Sequence, residues 1–463
     1  MNSNTLRQYR YDIYDCLLMA KDALFNAVDA LMTEWSAKSL PEITQSLWFE
    51  RRWPSVYEAF EDGKIDQKYL QKVFARYIPK PAEGNWLWTG VDASGIARPS
   101  SVTSADRTAL AVHNLPKGKK AITYGWQFSA MVVLSDPASS HTYILDQQRV
   151  KSDATAIQVC IEQLKQILPL LPEKTIVVLD RGYDCNWLWC QCRGLGANVL
   201  GRIKRKRTFY RPAPSPSGKK GTPRKDGDRL QVGNASTYGT PDGHFQGKDA
   251  KGRPIEIFWW KQLHVKDARW LEMTVIRVVR PHATDKERDP RESWFVWLGD
   301  PQADIAQLAM GYALRFGQEH GYRFDKQSLL WEQPRLQTPS QFELWSHIVA
   351  IAHNHLVLAS PLVEPDLRPW ESKHRPASLQ QVRRGLNKLL AQLGTPARPP
   401  KPRGKAKGRS TGAKQAREDT VPCRSQKAIT TSNCIIVTTL SAFRFVIFLF
   451  TEHLEMFWQT RLV

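Results

Sequence analysis

At 463 residues the chain exceeds the roughly 250 residues that one hydrophobic core sustains, so two to four folded units are expected. Lys and Arg outnumber Asp and Glu by 66 to 45, a formal net charge of +21. That balance points to a polyanionic partner, and its spread through segments holding many of the 17 Trp favours nucleic acid over a lipid surface. Seven cysteines at irregular spacing form no disulfide framework, and residues 1–10 carry no signal-like run, so a reducing, cytoplasmic setting is expected.

In chain order, residues 1–80 read as a helical N-terminal DNA-binding domain. Tyr14, Leu17, Leu18, Leu24, Phe25 and Val28 recur at helical spacing, and Pro41 and Pro54 cut the region into short helices. The stretch from Leu47 to Pro54 mixes aromatics with two arginines and is read as a helix packing its tryptophans inward. From residue 85 the pattern turns to strands and helices: strands at 85–92, 121–135 and 141–148, a helix at 154–171, a strand at 174–180, a helix at 186–195 and a strand at 198–203. This βββαβαβ order is that of a ribonuclease H-like mixed sheet with flanking helices. Cys185, Cys190 and Cys192 fit no zinc spacing and read as small apolar residues on the half-buried helix.

Residues 204–300 interrupt that domain. Lys204, Arg205, Lys206 and Arg207 open a stretch to residue 229 with ten basic and two acidic residues, rich in Pro, Gly and Ser, read as a mobile phosphate-binding loop. Strands at 254–260, 270–279 and 293–297 then suggest a small β insertion. Helix resumes at 304–326 and again at 342–358, where His353 and His355 read as packing or capping residues. Residues 398–417 carry eight basic residues and no acidic one, a tail expected to be disordered until it meets DNA. The apolar run 434–450 is too short, and interrupted by Arg444, to span a membrane, and no membrane role is expected.

Two aspartates end apolar strands, Asp92 in Thr-Gly-Val-Asp-Ala-Ser and Asp180 in Val-Val-Leu-Asp-Arg-Gly-Tyr, and functional residues of α/β sheets collect at such carboxyl ends. Each alone could merely open a turn or cap a helix. In the order above their strands are neighbours. On the helix after the insertion, Tyr312, Arg315, Glu319 and Lys326 fall within one 60° sector at about 100° per residue, a single polar stripe. Gly317 and Gly321 flank Glu319, which predicts a bend or break there.

Tyr312-x2-Arg315-x3-Glu319-x6-Lys326 resembles the Y(2)R(3)E(6)K signature of a large group of bacterial insertion-sequence DDE transposases, and Asp180-Arg-Gly-Tyr183 resembles that group's second-aspartate motif. The resemblance covers residues 85 to about 330. It implies that Asp92, Asp180 and Glu319 bind two Mg²⁺ ions, replaceable by Mn²⁺, with Asp325 and Glu332 as alternative acids. It further implies that Tyr183, Tyr312, Arg315 and Lys326 hold DNA near the cut, and that Trp259 or Trp260 in the β insertion stacks a flipped base. The implied activity is cutting element ends in double-stranded DNA and joining them to target DNA, by a homodimer on DNA near the bacterial nucleoid. Two other readings stay open: a nuclease without strand transfer, and a non-catalytic DNA-binding relative.

Overall fold

The computed structural model describes residues 1–112, 122–134, 141–215, 222–284 and 290–401. The basic tail beyond residue 401, the apolar run 434–450 and part of the basic stretch at 216–221 lie outside them. Five helices open the chain: α1 (Ser3–Cys16), α2 (Lys21–Thr33), α3 (Leu40–Ile43), α4 (Pro54–Asp62) and α5 (Gln67–Arg76). Pro41 and Pro54 stand in the first turns of α3 and α4, where proline's missing N–H costs nothing and its fixed φ suits the helix, so they start helices. Residues 47–53 form turns and irregular chain where a helix is expected, and Pro54 opens α4. There only Phe49 is buried deeply, while Leu47 and Trp53 are exposed and Trp48 donates its Nε1–H to Asn387 Oδ1 at 2.9 Å.

Among the described residues, twelve strands form one sheet. Taken in sequence they are β1 (Leu87–Ala97), β2 (Thr108–Ala111), β3 (Ile122–Val133), β4 (Tyr143–Val150), β5 (Thr175–Leu179), β6 (Asn198–Arg202), β7 (Thr208–Tyr210), β8 (Arg229–Gln231), β9 (Gly243–Lys248), β10 (Pro254–Val265), β11 (Ala268–Val279) and β12 (Glu292–Leu298). Across the sheet the order is β8-β7-β10-β11-β12-β6-β5-β1-β3-β2, with β9 on β10 and β4 on β3. Helices α6 (Ala156–Ile167) and α7 (Asn186–Gly194) connect β4, β5 and β6 as expected of the ribonuclease H-like order. Every residue of β5 is buried, the signature of a strand covered on both faces.

The strands of the expected β insertion join the core sheet. Strand β12 pairs antiparallel with β6, from Phe295 opposite Arg202 to Leu298 opposite Val199, so the inserted strands continue the core sheet. The basic stretch after residue 204 is also more ordered than a mobile loop: β7 and β8 pair in register, and Asp226 bonds His264 and Arg269 of β10 and β11.

After the sheet come α8 (Ile305–Gly311), a 3₁₀ turn Tyr312–Arg315, α9 (Phe316–Gln327), α10 (Pro339–Ala359) and α11 (Leu379–Leu393). The N-terminal helices share one hydrophobic core with this layer. Arg10 forms a buried bidentate pair with Asp29, and Arg383 of α11 donates to the carbonyls of Leu31, Glu34 and Ser328. Among the described residues no helix is long and apolar enough to cross a membrane.

Candidate active site

Strands β1 and β5 run parallel, with Val91 opposite Leu179. The next residue on each is Asp92 and Asp180, so sheet register alone sets the two carboxylates side by side at one end of adjacent strands. Strand β1 continues to Ala97 against β3, with Asp92 opposite Ala130, whereas β5 ends and the chain turns through Arg181–Tyr183. This divergence leaves a cleft of about 670 Å³ lined by Asp92, Asp180, Arg315, Glu319, Arg323 and Lys326, among others.

Helix α9 closes one wall. Gln318, Tyr322 and Lys326, spaced four apart on one helix face, each donate to a strand carbonyl: Gln318 Nε2 to Ala130 at 2.9 Å, Tyr322 OH to Asp92 at 2.7 Å and Lys326 Nζ to Gly95 at 2.6 Å. Glu319 therefore stands on a helix laid across β1 and β3. Arg315 gathers the three acids. Its Nη2 lies 2.9 Å from Asp92 Oδ2 and 3.8 Å from Asp180 Oδ2, and its Nη1 lies 3.3 Å from Glu319 Oε1. The guanidinium is buried, and the surrounding acids hold its proton more firmly than burial loosens it. Burial pushes the Asp92 carboxyl above the usual carboxylate range, against the opposing pull of Arg315 and the Ala93 amide.

The helix break falls upstream of where Gly317 and Gly321 place it. It lies at the 3₁₀ turn Tyr312–Arg315, just after Gly311, where a Cβ would meet the Trp88 ring at 2.3 Å. Gly317 and Gly321 stay helical and face Thr142; a Cβ at 321 would lie 2.4 Å from Thr142 Oγ1, so glycine lets α9 approach β4 closely. Tyr312 therefore leaves the polar stripe. Its ring is buried against Phe295, with centroids 4.5 Å apart.

Other expected contacts are redistributed too. Tyr183 is buried, so it and Tyr312 pack the core where DNA contact is expected. Arg315 is spent on the acids, and Lys326 on Gly95 and on Glu332 at 2.7 Å. Arg207 pairs with Asp184, bonds Asn186 and lies over the Trp189 ring, a structural role, while Lys204, Arg205 and Lys206 are exposed. Trp260 is buried and stacked on Trp294, and the half-buried Trp259 lies over Gly243. Asp325 is buried and bonded to His353, which removes it as an alternative acid; Glu332 lines the cleft rim. Exposed Arg323 also lines the cleft and went unnoticed in the sequence, though it follows Glu319 by one helical turn.

The three acids are hard oxygen donors of the kind that Mg²⁺ and Mn²⁺ take, and they already surround one positive charge, the Arg315 guanidinium. As they stand, no group of three or more His, Cys, Asp or Glu among the described residues is drawn together closely enough to hold an ion. The donor types suit a divalent metal, while their present spacing does not form a site.

No match was found among curated proteins. A family model described as DDE superfamily endonuclease matches residues 12–264. The match takes in Asp92 and Asp180, ends before Glu319 and spans more than half the chain; the protein therefore belongs to the DDE superfamily endonuclease family.

Proposed function

We propose that the protein is a DNA transposase that cuts insertion-sequence ends and joins them to target DNA. The observation that carries this reading is the convergence of Asp92, Asp180 and Glu319 on Arg315, at the end of two parallel strands in a cleft open to a large ligand. The family is one of divalent-metal-dependent enzymes whose substrate is DNA. Asp92, Asp180 and Glu319 would hold two Mg²⁺ ions, or Mn²⁺ in their place. Bound there, the ions supply activation of the attacking oxygen and stabilisation of the leaving one in an in-line displacement.

The chain's own groups bind and orient the DNA. Arg323 and the exposed Lys204, Arg205 and Lys206 meet backbone phosphates, which fixes position without reading sequence. Arg315, which faces the three acids, would hold a phosphate oxygen in the cleft. Water serves first as the nucleophile that frees a 3′-hydroxyl; that hydroxyl then attacks the target. Two ends joined in one event call for a homodimer on DNA.

Supplying pre-cut element ends with a target plasmid tests the reading. Joined product that depends on Mg²⁺ or Mn²⁺, disappears with chelator and is lost in Asp180→Ala is expected. Nicking without joining would reduce the protein to a nuclease, and neither activity would leave a DNA-binding relative.

A further inference from the structure

Helix α9 is fastened on its other side by a buried charge pair. His353 of α10 and Asp325 of α9 are 0% and 2% exposed. The ring Nδ1 lies 2.6 Å from Asp325 Oδ1, and Nε2 lies 2.7 Å from the carbonyl oxygen of Thr142, just ahead of β4. A carbonyl oxygen accepts only, and so does an ionised carboxylate. Against an ionised Asp325 the ring donates from both nitrogens, as an imidazolium.

Three elements meet at this ring. Asn354, the next residue of α10, accepts from the Ile144 amide and donates to its carbonyl, both at 2.7 Å, which fixes the start of β4. Gly317 and Gly321 bring α9 against Thr142, and Asp325 stands six residues beyond Glu319 on that helix. We propose that His353 and Asp325 form a positioning pair that sets how far α9 sits from β4 and so where the Glu319 carboxylate stands over Asp92 and Asp180. The inference rests on Glu319 being the third acid of the cleft.

The titratable groups around the ring are Asp325 from α9 and His141 from the segment leading into β4; Phe324 of α9 meets it edge-on. Burial pulls the His353 pKa down, but the Asp325 charge and the two hydrogen bonds more than offset that, so it is raised. The pair's contribution is therefore present below the usual histidine pKa and is lost as pH rises through the raised value. In Asp325→Asn a neutral ring satisfies the same geometry: the amide donates to Nδ1, and Nε2–H still donates to Thr142.

The test uses the full chain with Mg²⁺ and a duplex carrying a single cut site, with kcat, KM and metal-free DNA affinity followed across pH. Glutamine at 353 cannot donate to both partners, and a displacement near 1 Å costs about 100-fold, so His353→Gln is expected to lower kcat by about 10- to 100-fold with DNA affinity held within about twofold. The wild type is expected to show an alkaline fall in kcat, and Asp325→Asn to lose less than His353→Gln and to lack that fall. Wild-type kcat in a folded His353→Gln, or an unchanged alkaline limb in Asp325→Asn, overturns the proposal; the second reading decides if His353→Gln does not fold. Glu319→Gln run in parallel separates the failures. If it nicks normally, the reading of the cleft fails; if it is inactive while His353→Gln is normal, only the positioning pair fails.

Discussion

The acids of the cleft are held in two different ways. Asp92 and Asp180 sit on adjacent parallel strands, placed by backbone hydrogen bonds and register inside a sheet whose β5 is wholly buried. Glu319 sits on a docked helix, placed by side chains: Gln318, Tyr322 and Lys326 toward the strands, Arg315 toward the acids, and Asp325 toward His353. Two thirds of the constellation is therefore as rigid as the sheet, while the last third depends on contacts that single substitutions can remove. A docked acid can also move with its helix when DNA and metal arrive.

Arg315→Ala strikes that contrast hardest. It removes the cation that three carboxylates share; because Asp180 and Glu319 are partly solvated, the loss is expected at the low end of the buried-pair range, about 3 kcal/mol. Urea unfolding without metal should show that loss, and Mn²⁺ should restore part of it by replacing the charge. No loss, or a loss indifferent to Mn²⁺, would mean that the acids do not form one electrostatic unit.

Acid pH is expected to loosen the docking layer before the sheet. Burial holds His347 of α10 neutral, with its pKa lowered to about 4 from 6.5. Between those values the unfolded chain binds the proton and the folded chain does not, so stability falls as pH drops through that window, by up to about 3 kcal/mol. His347→Gln should remove its share of the slope in unfolding experiments between pH 7 and pH 4, and an unchanged slope would place the acid-sensitive group elsewhere.

The smallest expected effect is that of Tyr322→Phe, which deletes only the hydroxyl bonded to the Asp92 carbonyl. A loss of about 1 kcal/mol is expected by urea unfolding. A loss of several kcal/mol would show that α9 hangs on this one bond rather than on its whole face.

What the sequence disclosed follows the same division. The central strands were legible because residues buried on both faces leave continuous apolar runs, as in Ile176 to Leu179, and the two aspartates mark where those runs stop. Glu319 was legible only through the spacing of the residues around it. The fates of Tyr312 and Tyr183 were not, because spacing on an ideal helix cannot show a 3₁₀ turn at Tyr312–Arg315 or a core waiting beneath it. Pairing of β12 with β6 was equally hidden, since it joins Trp297 to Leu200 across nearly a hundred residues by backbone bonds that leave no mark on composition. Gly317 and Gly321 looked like helix breakers and prove to be contact points for Thr142, a distinction that only the neighbour reveals. His353 looked like packing, and its pairing with Asp325 depends on two helices meeting.

Crystals grown with Mn²⁺ and examined by anomalous scattering test the central claim most directly. The account predicts peaks bounded by the carboxylates of Asp92, Asp180 and Glu319, with the Arg315 guanidinium withdrawn from between them. Peaks elsewhere, or a Glu319 carboxylate remaining apart from metal held by the two aspartates, would contradict it.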